Sequence, residues 1–258
     1  MRNSQIVIIS ALILVLGVTG AGIGQDMSGE EVLLRVENAI SATSARIHLR
    51  MELHSQGGST RERSMQIFMK ESNGQSRSLM KFTAPADVEG TAFLALEHQD
   101  EDEEMYLYMP VLGSVRRIAG SQKNGSFVGT DFTYNDLTIL GGGNYQEDYS
   151  AEVLSRDNDK YILKLIPSDD EIQYTYVKMW VPVDTWFPTK IEFFGEQDQK
   201  RKVLINEDFE EIDGNRTARK ITMKDLENGS KTVLSLSEIQ YNVEISDRIF
   251  TTRYLQRQ

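Results

Sequence analysis

From residue 46 onward, apolar and polar residues alternate through many short segments. Alternation with a period of two is typical of β-strands that bury one face and expose the other to water. Pairs such as Asn73-Gly74, Asp213-Gly214 and Asn228-Gly229 separate the segments and favour tight hairpins. Short strands at this spacing predict a sandwich or a barrel. The predicted strands are 46–54, 64–70, 77–83, 91–97, 105–109, 114–118, 150–156, 160–166, 174–183, 188–195, 202–212, 217–226 and 231–241.

One helix is predicted before the strands. Ser28 and Glu31 have the spacing of a capping box, in which a hydroxyl and a carboxylate satisfy amides at the start of a helix. Apolar residues then recur at helical spacing between residues 32 and 40, which predicts a helix over residues 29–43 with one apolar face. Because no linker or repeat divides the chain, residues 25–258 are predicted to form a single domain.

The first 24 residues have the pattern of a cleavable signal peptide. Arg2 provides a positive charge, and residues 6–18 are almost entirely apolar. This stretch is shorter than the roughly 20 residues that a membrane-spanning helix needs, and its length is typical of a secretory signal; an uncleaved signal anchor is the alternative. Cleavage is predicted between Ala21 and Gln25. Since the chain has no cysteine to carry a lipid, the mature protein is predicted to be secreted, soluble and not lipidated.

The chain is acidic, with a formal net charge of −11. Nucleic acids reward basic surfaces through counterion release, so the charge argues against a nucleic-acid partner. It also argues against tight docking on anionic lipid headgroups. An acidic surface suits a basic face on a partner protein instead.

The residues do not form a recognisable metal site. His48 and His54 are six residues apart, roughly 20 Å along a strand, so they cannot share an ion, and His98 stands alone. The acidic run 100–104 lacks the alternating ligands of a calcium loop. It is predicted to be a solvated hairpin tip, and a docking tip for a basic partner is the alternative. Residues 141–143 are three glycines without the lysine of a phosphate-binding loop.

Catalytic residues are equally hard to assemble. The best arrangement for a lipid hydrolase pairs Ser114 or Ser126 with His98, and no nucleophile-elbow motif accompanies either serine. The sequence therefore predicts that the protein is not an enzyme and needs no metal or cofactor.

Several blocks occur in a characteristic order in the middle of the chain. They are KFTAP at 81–85, GTAFL at 90–94, MYLYMP at 105–110, VRRI at 115–118 and SFVGTDFTYNDL at 126–137. They resemble the bacterial outer membrane lipoprotein-sorting protein family, which is related to the periplasmic carriers LolA and LolB. The hairpin that contains Trp180 and the segment 186–194 is similar to the next part of the family pattern, and weaker similarity extends to residue 255.

The resemblance implies a mainly β (α+β) fold. In it, a strongly curved antiparallel sheet forms an incomplete, LolA/LolB-like β-barrel, and a few helices cover an apolar cavity. The chain carries many strand methionines, which are flexible and suit variable apolar ligands; filling a core is their commoner role. With the resemblance, the pattern predicts a lipid-binding cavity lined by Leu49, Met51, Leu53, Met65, Ile67, Met69, Met80, Phe82, Leu94, Met105, Leu107, Met109 and Trp180.

Arg116 and Arg117 are predicted at the rim of this cavity. Adjacent residues of a strand point to opposite faces, so one of the two could hold a polar group of a ligand. The alternative is that an arginine pairs with Asp131 or Asp136 and braces the 126–137 segment, since buried charges need partners.

These inferences predict a monomeric periplasmic carrier that binds acyl chains of lipoproteins or free lipids for transport between membranes. The resemblance implies a partner in the inner membrane, either a lipoprotein-releasing ABC transporter or a resistance-nodulation-division type transporter. An alternative is a non-catalytic cell-envelope protein-interaction module that works with such a transporter. It would bind protein through the open sheet edge or the 100–104 tip.

Overall fold

The structure is a computed structural model that describes residues 27–39, 42–72, 74–98, 101–140, 145–170 and 172–257. Its helices are α1 (Gly29–Glu37), α2 (Tyr134–Leu140), α3 (Tyr145–Asp148) and α4 (Thr252–Leu255). Its strands are β1 (Ser44–His54), β2 (Thr60–Ser72), β3 (Gln75–Ala84), β4 (Ala92–His98), β5 (Glu101–Met109), β6 (Ser114–Ile118), β7 (Tyr149–Arg156), β8 (Lys160–Pro167), β9 (Tyr176–Pro182), β10 (Lys190–Phe194), β11 (Lys200–Ile212), β12 (Asn215–Asp225) and β13 (Ser230–Tyr241).

The thirteen strands form one antiparallel sheet. Its order is β6-β5-β4-β3-β2-β1-β13-β12-β11-β10-β9-β8-β7, so the first and last strands pair at the centre and β6 and β7 are the two edges. The sheet is curved and does not close. The predicted LolA/LolB-like incomplete barrel is therefore confirmed, and each strand predicted from the alternation is present, with shifts of a few residues at its ends.

Helix α1 begins where the sequence predicts and ends earlier. The Ser28 hydroxyl accepts a hydrogen bond from the Glu31 amide at 3.1 Å, and the Glu31 carboxylate accepts one from the Ser28 amide at 2.7 Å. The helix stops at Glu37 rather than at residue 43, and the Asn38 side chain donates to the Leu34 carbonyl at 2.7 Å. Apolar periodicity therefore extended past the point where the chain leaves the helix to enter β1.

Side chains pack on both faces of the sheet. The main core fills the concave face, where α1, α2 and α3 lie. A smaller cluster on the convex face packs the C-terminal residues Ile245, Phe250 and Leu255 against the sheet. Leu94 belongs to this second cluster because its neighbours Phe93 and Ala95 point to the concave core. The prediction that Leu94 lines a concave cavity is thus wrong, because successive residues of a strand point to opposite faces and Leu94 points to the convex one.

The predicted signal peptide, residues 1–24, lies outside the described residues. Within the described part of the chain, no helix has the combination of length and apolar character needed to cross a membrane.

Candidate functional site

A cavity lies on the concave face between the sheet and α2. It has two adjoining parts of about 600 and 460 Å³, which are sizes typical of small-molecule sites. Some apolar side chains from the sheet and from α2 line both parts. The shared apolar residues are Ile47, Met69, Leu140, Ile221 and Leu236.

The cavity is covered by the crossing segment, by which we mean the described residues 119–140 and 145–148 between the edge strands β6 and β7. It carries α2 and α3 over the concave face. Leu137 and Leu140 of α2 line the cavity, as do Leu49 and Met105 of the sheet. An unclosed sheet would expose its apolar concave face to water. The crossing segment covers that face because it runs from one edge strand of the sheet to the other.

A buried polar network fixes α2 to the sheet. Asp136 of α2 is fully buried, and its Oδ2 accepts hydrogen bonds from the Lys202 ammonium of β11 and from the Thr133 amide, both at 2.8 Å. Its Oδ1 accepts from the Tyr174 hydroxyl at 2.9 Å. Burial and the neighbouring Asp136 carboxylate raise the pKa of Tyr174, so this phenol stays a donor. Both carboxylate oxygens are satisfied, as a buried charge requires.

The preceding part of the crossing segment is fastened to β2 and β13. The Asp131 carboxylate accepts a hydrogen bond from the Thr232 hydroxyl at 2.6 Å and another from the Ser230 hydroxyl. Arg63 donates to the carbonyl oxygen of Val128. The cover of the cavity is therefore held by several independent contacts rather than by apolar packing alone.

The predicted bracing role of the two β6 arginines is wrong. Asp131 and Asp136 find their partners on β11 and β13, whereas Arg116 and Arg117 are both exposed on the edge strand. Arg117 lies 3.7 Å from Glu104. Neither arginine lines the described cavity, and a contact with ligand at its rim stays a prediction.

The predicted lining residues divide into three groups. Five line the cavity: Leu49, Ile67, Met69, Met80 and Met105. Six belong to the same concave core but pack away from the cavity: Met51, Leu53, Met65, Phe82, Leu107 and Met109. Two, Leu94 and Trp180, lie on the convex face.

Local packing explains the two misplaced groups. Phe82 is not free to line a cavity because its ring packs on Phe127 of the crossing segment, with ring centroids 5.9 Å apart. Trp180 follows Met179, which is fully buried in the concave core, so Trp180 points the other way. There the Lys190 ammonium lies 3.5 Å from the Trp180 ring centroid.

Sequence reasoning missed much of the cavity wall. The missed apolar residues are Ile47, Phe93, Ala95, Leu137, Leu140, Ile172, Ile221, Leu234 and Leu236. Alternation could have assigned those on strands to the concave face. It could not show how far along each strand the cavity extends, and it gave no signal for α2.

One end of the cavity carries carboxylates. Glu103 lies on β5 two residues before the inward-facing Met105, and Glu97 follows the inward-facing Ala95 by two residues on β4. Both line the cavity, together with Lys123. The run 100–104 was predicted to be a solvated tip, and for Glu103 this is wrong because strand parity turns it inward. The other acidic residues that line this part of the cavity are Glu147, Asp148 and Asp169.

Two of these carboxyl groups, Glu103 and Asp148, have a raised pKa and hold protons more tightly than exposed ones do. Burial, followed by the neighbouring Glu97, raises the pKa of Glu103 to about 7. Burial, followed by Glu147, raises the pKa of Asp148 to about 6. The cavity therefore combines apolar walls with an acidic end whose charge changes between about pH 5 and 8.

We expect the folded protein to lose stability as the pH rises from 5 to 8. The pKa of Glu103 is about 7 in the folded state and 4.5 in its ordinary state. The contribution is thus fully present below pH 4.5 and is lost as the pH rises through 7. One pKa unit corresponds to about 1.4 kcal/mol, so the loss is at most about 3 kcal/mol.

Urea unfolding across this pH range measures the effect. Glu103→Gln should flatten the pH dependence, leaving the smaller part due to Asp148. Glu104→Gln is the matched control, since Glu104 points away from the cavity and lies near Arg117; it should keep the wild-type slope. An unchanged slope in Glu103→Gln would contradict the assignment.

In the described part of the chain, no group of three or more histidine, aspartate or glutamate side chains is arranged to hold a metal ion. The Ser126 hydroxyl donates to the Thr130 carbonyl at 2.6 Å, and Ser114 is exposed on the β6 edge. The side chain of His98, the proposed base, lies outside the described residues.

A curved, unclosed antiparallel sheet with helices over an apolar concave cavity is the LolA-like fold. Residues 74–257 match the model of a family described as "-like: Uncharacterized protein". The chain belongs to this family, and the resemblance to the outer membrane lipoprotein-sorting proteins is confirmed. No curated protein matches the chain.

Three solved structures share the fold over nearly their whole length. A DUF1329 family protein from Desulfovibrio piger is 28% identical, with a TM-score of 0.81, covering 88% of this chain and 97% of that one. A putative outer membrane lipoprotein-sorting protein domain from Vibrio parahaemolyticus is 26% identical, with a TM-score of 0.81, covering 89% and 98%. A LolA superfamily protein from Nitrosomonas europaea is 22% identical, with a TM-score of 0.69, covering 88% and 99%, and it supports the fold alone.

Proposed function

We propose that this protein is a periplasmic carrier that shields acyl chains of lipoproteins or free lipids in its concave cavity, without catalysing a reaction. The observation that carries the proposal is the cavity of about 600 Å³ that lies between an apolar sheet face and α2. The similarity to a lipoprotein-sorting domain supports the cargo class.

The walls suit a flexible hydrocarbon chain. Met69, Met80 and Met105 line the larger part of the cavity, and methionine adapts its shape to variable apolar ligands. Burying ten methylene groups would contribute about 8 kcal/mol. A free energy of about 8 kcal/mol would correspond to roughly micromolar binding. Because association itself costs several kcal/mol, ten buried methylene groups alone bind more weakly than that, and a longer acyl chain is needed for micromolar affinity.

The acidic end of the cavity restricts the polar end of the ligand. A free fatty acid would place its carboxylate near Glu97, Glu103 and Asp148, with Lys123 as the one lysine that lines this part. Like charges repel strongly where water is scarce. We therefore propose that the cargo presents an uncharged ester or amide at this end, as the acyl chains of a lipoprotein do.

Native mass spectrometry of the protein purified from periplasm without detergent tests the proposal. We expect an additional mass in the range of a lipid that is removed by organic extraction. The extracted protein should take up a fluorescent acyl ester better than the corresponding free acid at pH 8. A ligand-free mass with no uptake of either probe would contradict the carrier function.

The alternative is a cell-envelope interaction module that works with an inner-membrane transporter, and one observation favours it. Strand β6 pairs only with β5, and no other helix or strand packs extensively along it in the described chain. Val111, at the turn before β6, is 89% exposed. Partner strands add to uncovered edges of this kind. A transporter of the ABC or resistance-nodulation-division type could bind at the β6 edge whether the protein is a carrier or an interaction module.

A further inference from the structure

Six lysines lie together on the convex face of strands β8 to β13, opposite the cavity. The strand register places Lys164 beside Lys178, Lys178 beside Glu192, and Lys224 beside Lys231. Val203 links the two halves, because it lies opposite both Glu192 and Lys224. Adjacent strands are about 4.8 Å apart, so this row extends for about 24 Å from β8 to β13. We call Lys164, Lys178, Lys190, Lys200, Lys224 and Lys231 the lysine row.

The charges of the lysine row are only partly neutralised. Glu192 lies 3.1 Å from the Lys190 ammonium and 3.0 Å from that of Lys200. Among the described residues, none of the other four lysines has a carboxylate within 4 Å. Glu152 lies opposite Lys164 in the register, on the edge strand β7, without forming such a pair. Lys160 and Lys220 lie on the same face but are paired with Asp157 and Glu207. With the lysine row, eight of the chain's twelve lysines are thus gathered on one face of a protein whose net charge is −11.

Aromatic rings on the convex face lie beside the ammonium groups of the lysine row. The Lys178 ammonium lies 5.0 Å from the ring centroid of Phe194 and 5.7 Å from that of Tyr176. The Lys164 ammonium lies 4.9 Å from the Tyr176 ring. Rings in these positions cover the aliphatic stems and attract the ammonium groups. The ammonium groups are therefore held at the outer surface of the sheet.

We propose that the lysine row docks the protein on a bilayer that contains anionic phospholipid. Lysines near such a surface add to its attraction. Lipid phosphates move laterally, so they can meet ammonium groups at any spacing. The point charge of lysine therefore suits lipid phosphates better than a fixed pattern of carboxylates on a partner protein. Ile166, two residues after Lys164 on the same face, is 44% exposed. Trp180 is partly exposed, and tryptophan favours the membrane interface.

The net negative charge does not oppose this orientation strongly. Electrostatic interactions fade over a Debye length of about 8 Å at physiological salt. A bilayer facing the convex side therefore senses the charges of that face, where Glu152, Glu192 and Glu207 lie among eight lysines, much more than the carboxylates of the cavity on the opposite face. Net charge alone does not distinguish the faces of the protein, because the strand register gathers on one face charges that are dispersed in the sequence.

Flotation with vesicles tests the proposal on the whole mature protein. The wild type should bind vesicles made of equal parts phosphatidylglycerol and phosphatidylcholine, and not vesicles of phosphatidylcholine alone. Binding should weaken as salt is raised to about 0.5 M, where charges are screened. The variant Lys164→Gln, Lys178→Gln, Lys224→Gln, Lys231→Gln should bind at least about tenfold more weakly, because four attractions are lost.

The matched control changes the net charge equally at positions away from the lysine row. It carries Lys81→Gln, Arg116→Gln, Arg117→Gln and Arg253→Gln and should bind as the wild type does. Equal weakening in both variants, equal binding to both kinds of vesicle, or no binding of the wild type would each overturn the proposal. Met69→Glu, which changes the cavity, should keep full vesicle binding, so failure of the carrier function and failure of membrane docking are distinguishable.

Discussion

Replacing Asp136 with alanine is expected to destabilise the protein by about 3–5 kcal/mol, because the Lys202 ammonium would stay buried without its counterion. Lys202 is 10% exposed and lies 2.8 Å from the Asp136 carboxylate. The Thr133 amide and the Tyr174 hydroxyl would lose their acceptor as well. For a domain of this size, such a loss lowers the melting temperature by roughly 10 °C or more. Thermal and urea unfolding measure it.

The double substitution Asp136→Leu, Lys202→Met provides the control. Removing both charges together leaves no unpaired ion, so the double variant should be more stable than either Asp136→Ala or Lys202→Met. Additive losses would show that the two residues act independently. That result would contradict the view that their ion pair fastens the crossing segment to β11.

Met69→Glu is expected to weaken binding of an acyl-chain ligand by about 100-fold or more, which corresponds to roughly four lost methylene contacts. Met69 lines both parts of the cavity, so a carboxylate there would lie where the chain should lie. The measurement is titration with a fluorescent acyl ester, followed by native mass spectrometry of the purified variant.

The neighbouring substitution Phe68→Glu is the matched control. Phe68 lies on the same strand but belongs to the convex cluster, with Arg46 over its ring. It introduces the same charge outside the cavity and should leave acyl-chain affinity unchanged. Equal loss in both variants would attribute the effect to general destabilisation, and retained binding in Met69→Glu would contradict the cavity as the ligand site.

The strands were predictable because alternation is a local signal. Each residue pair such as Met65 and Ile67 shows which side of a strand is buried, and strand after strand repeats the pattern. Leu94 and Trp180 show the limit of this argument. Both are apolar and both lie in predicted strands, but their immediate neighbours Phe93 and Met179 occupy the concave side. To assign a residue to the concave or the convex face, one must know which alternate residues of the whole strand point inward. An apolar residue can also be buried on the convex face, where a segment distant in sequence covers it.

The candidate site was less predictable because it depends on contacts between distant parts of the chain. Asp136 and Lys202 are 66 residues apart, and no local pattern indicates that they meet. Glu103 illustrates the same point. In the sequence Glu103 belongs to an acidic run. In the fold, its position on β5 points its side chain toward the cavity between α2 and the sheet.

The sequence by itself determined the strands, the capped first helix and, through the ordered blocks between residues 81 and 137, the family. These are properties of neighbouring residues, fixed by periodicity and turn chemistry. Only the tertiary structure decided where the cavity lies, which carboxylates enter it and which lysines share the convex face. Those outcomes depend on strand register and on the crossing segment, which bring together residues that the chain keeps apart.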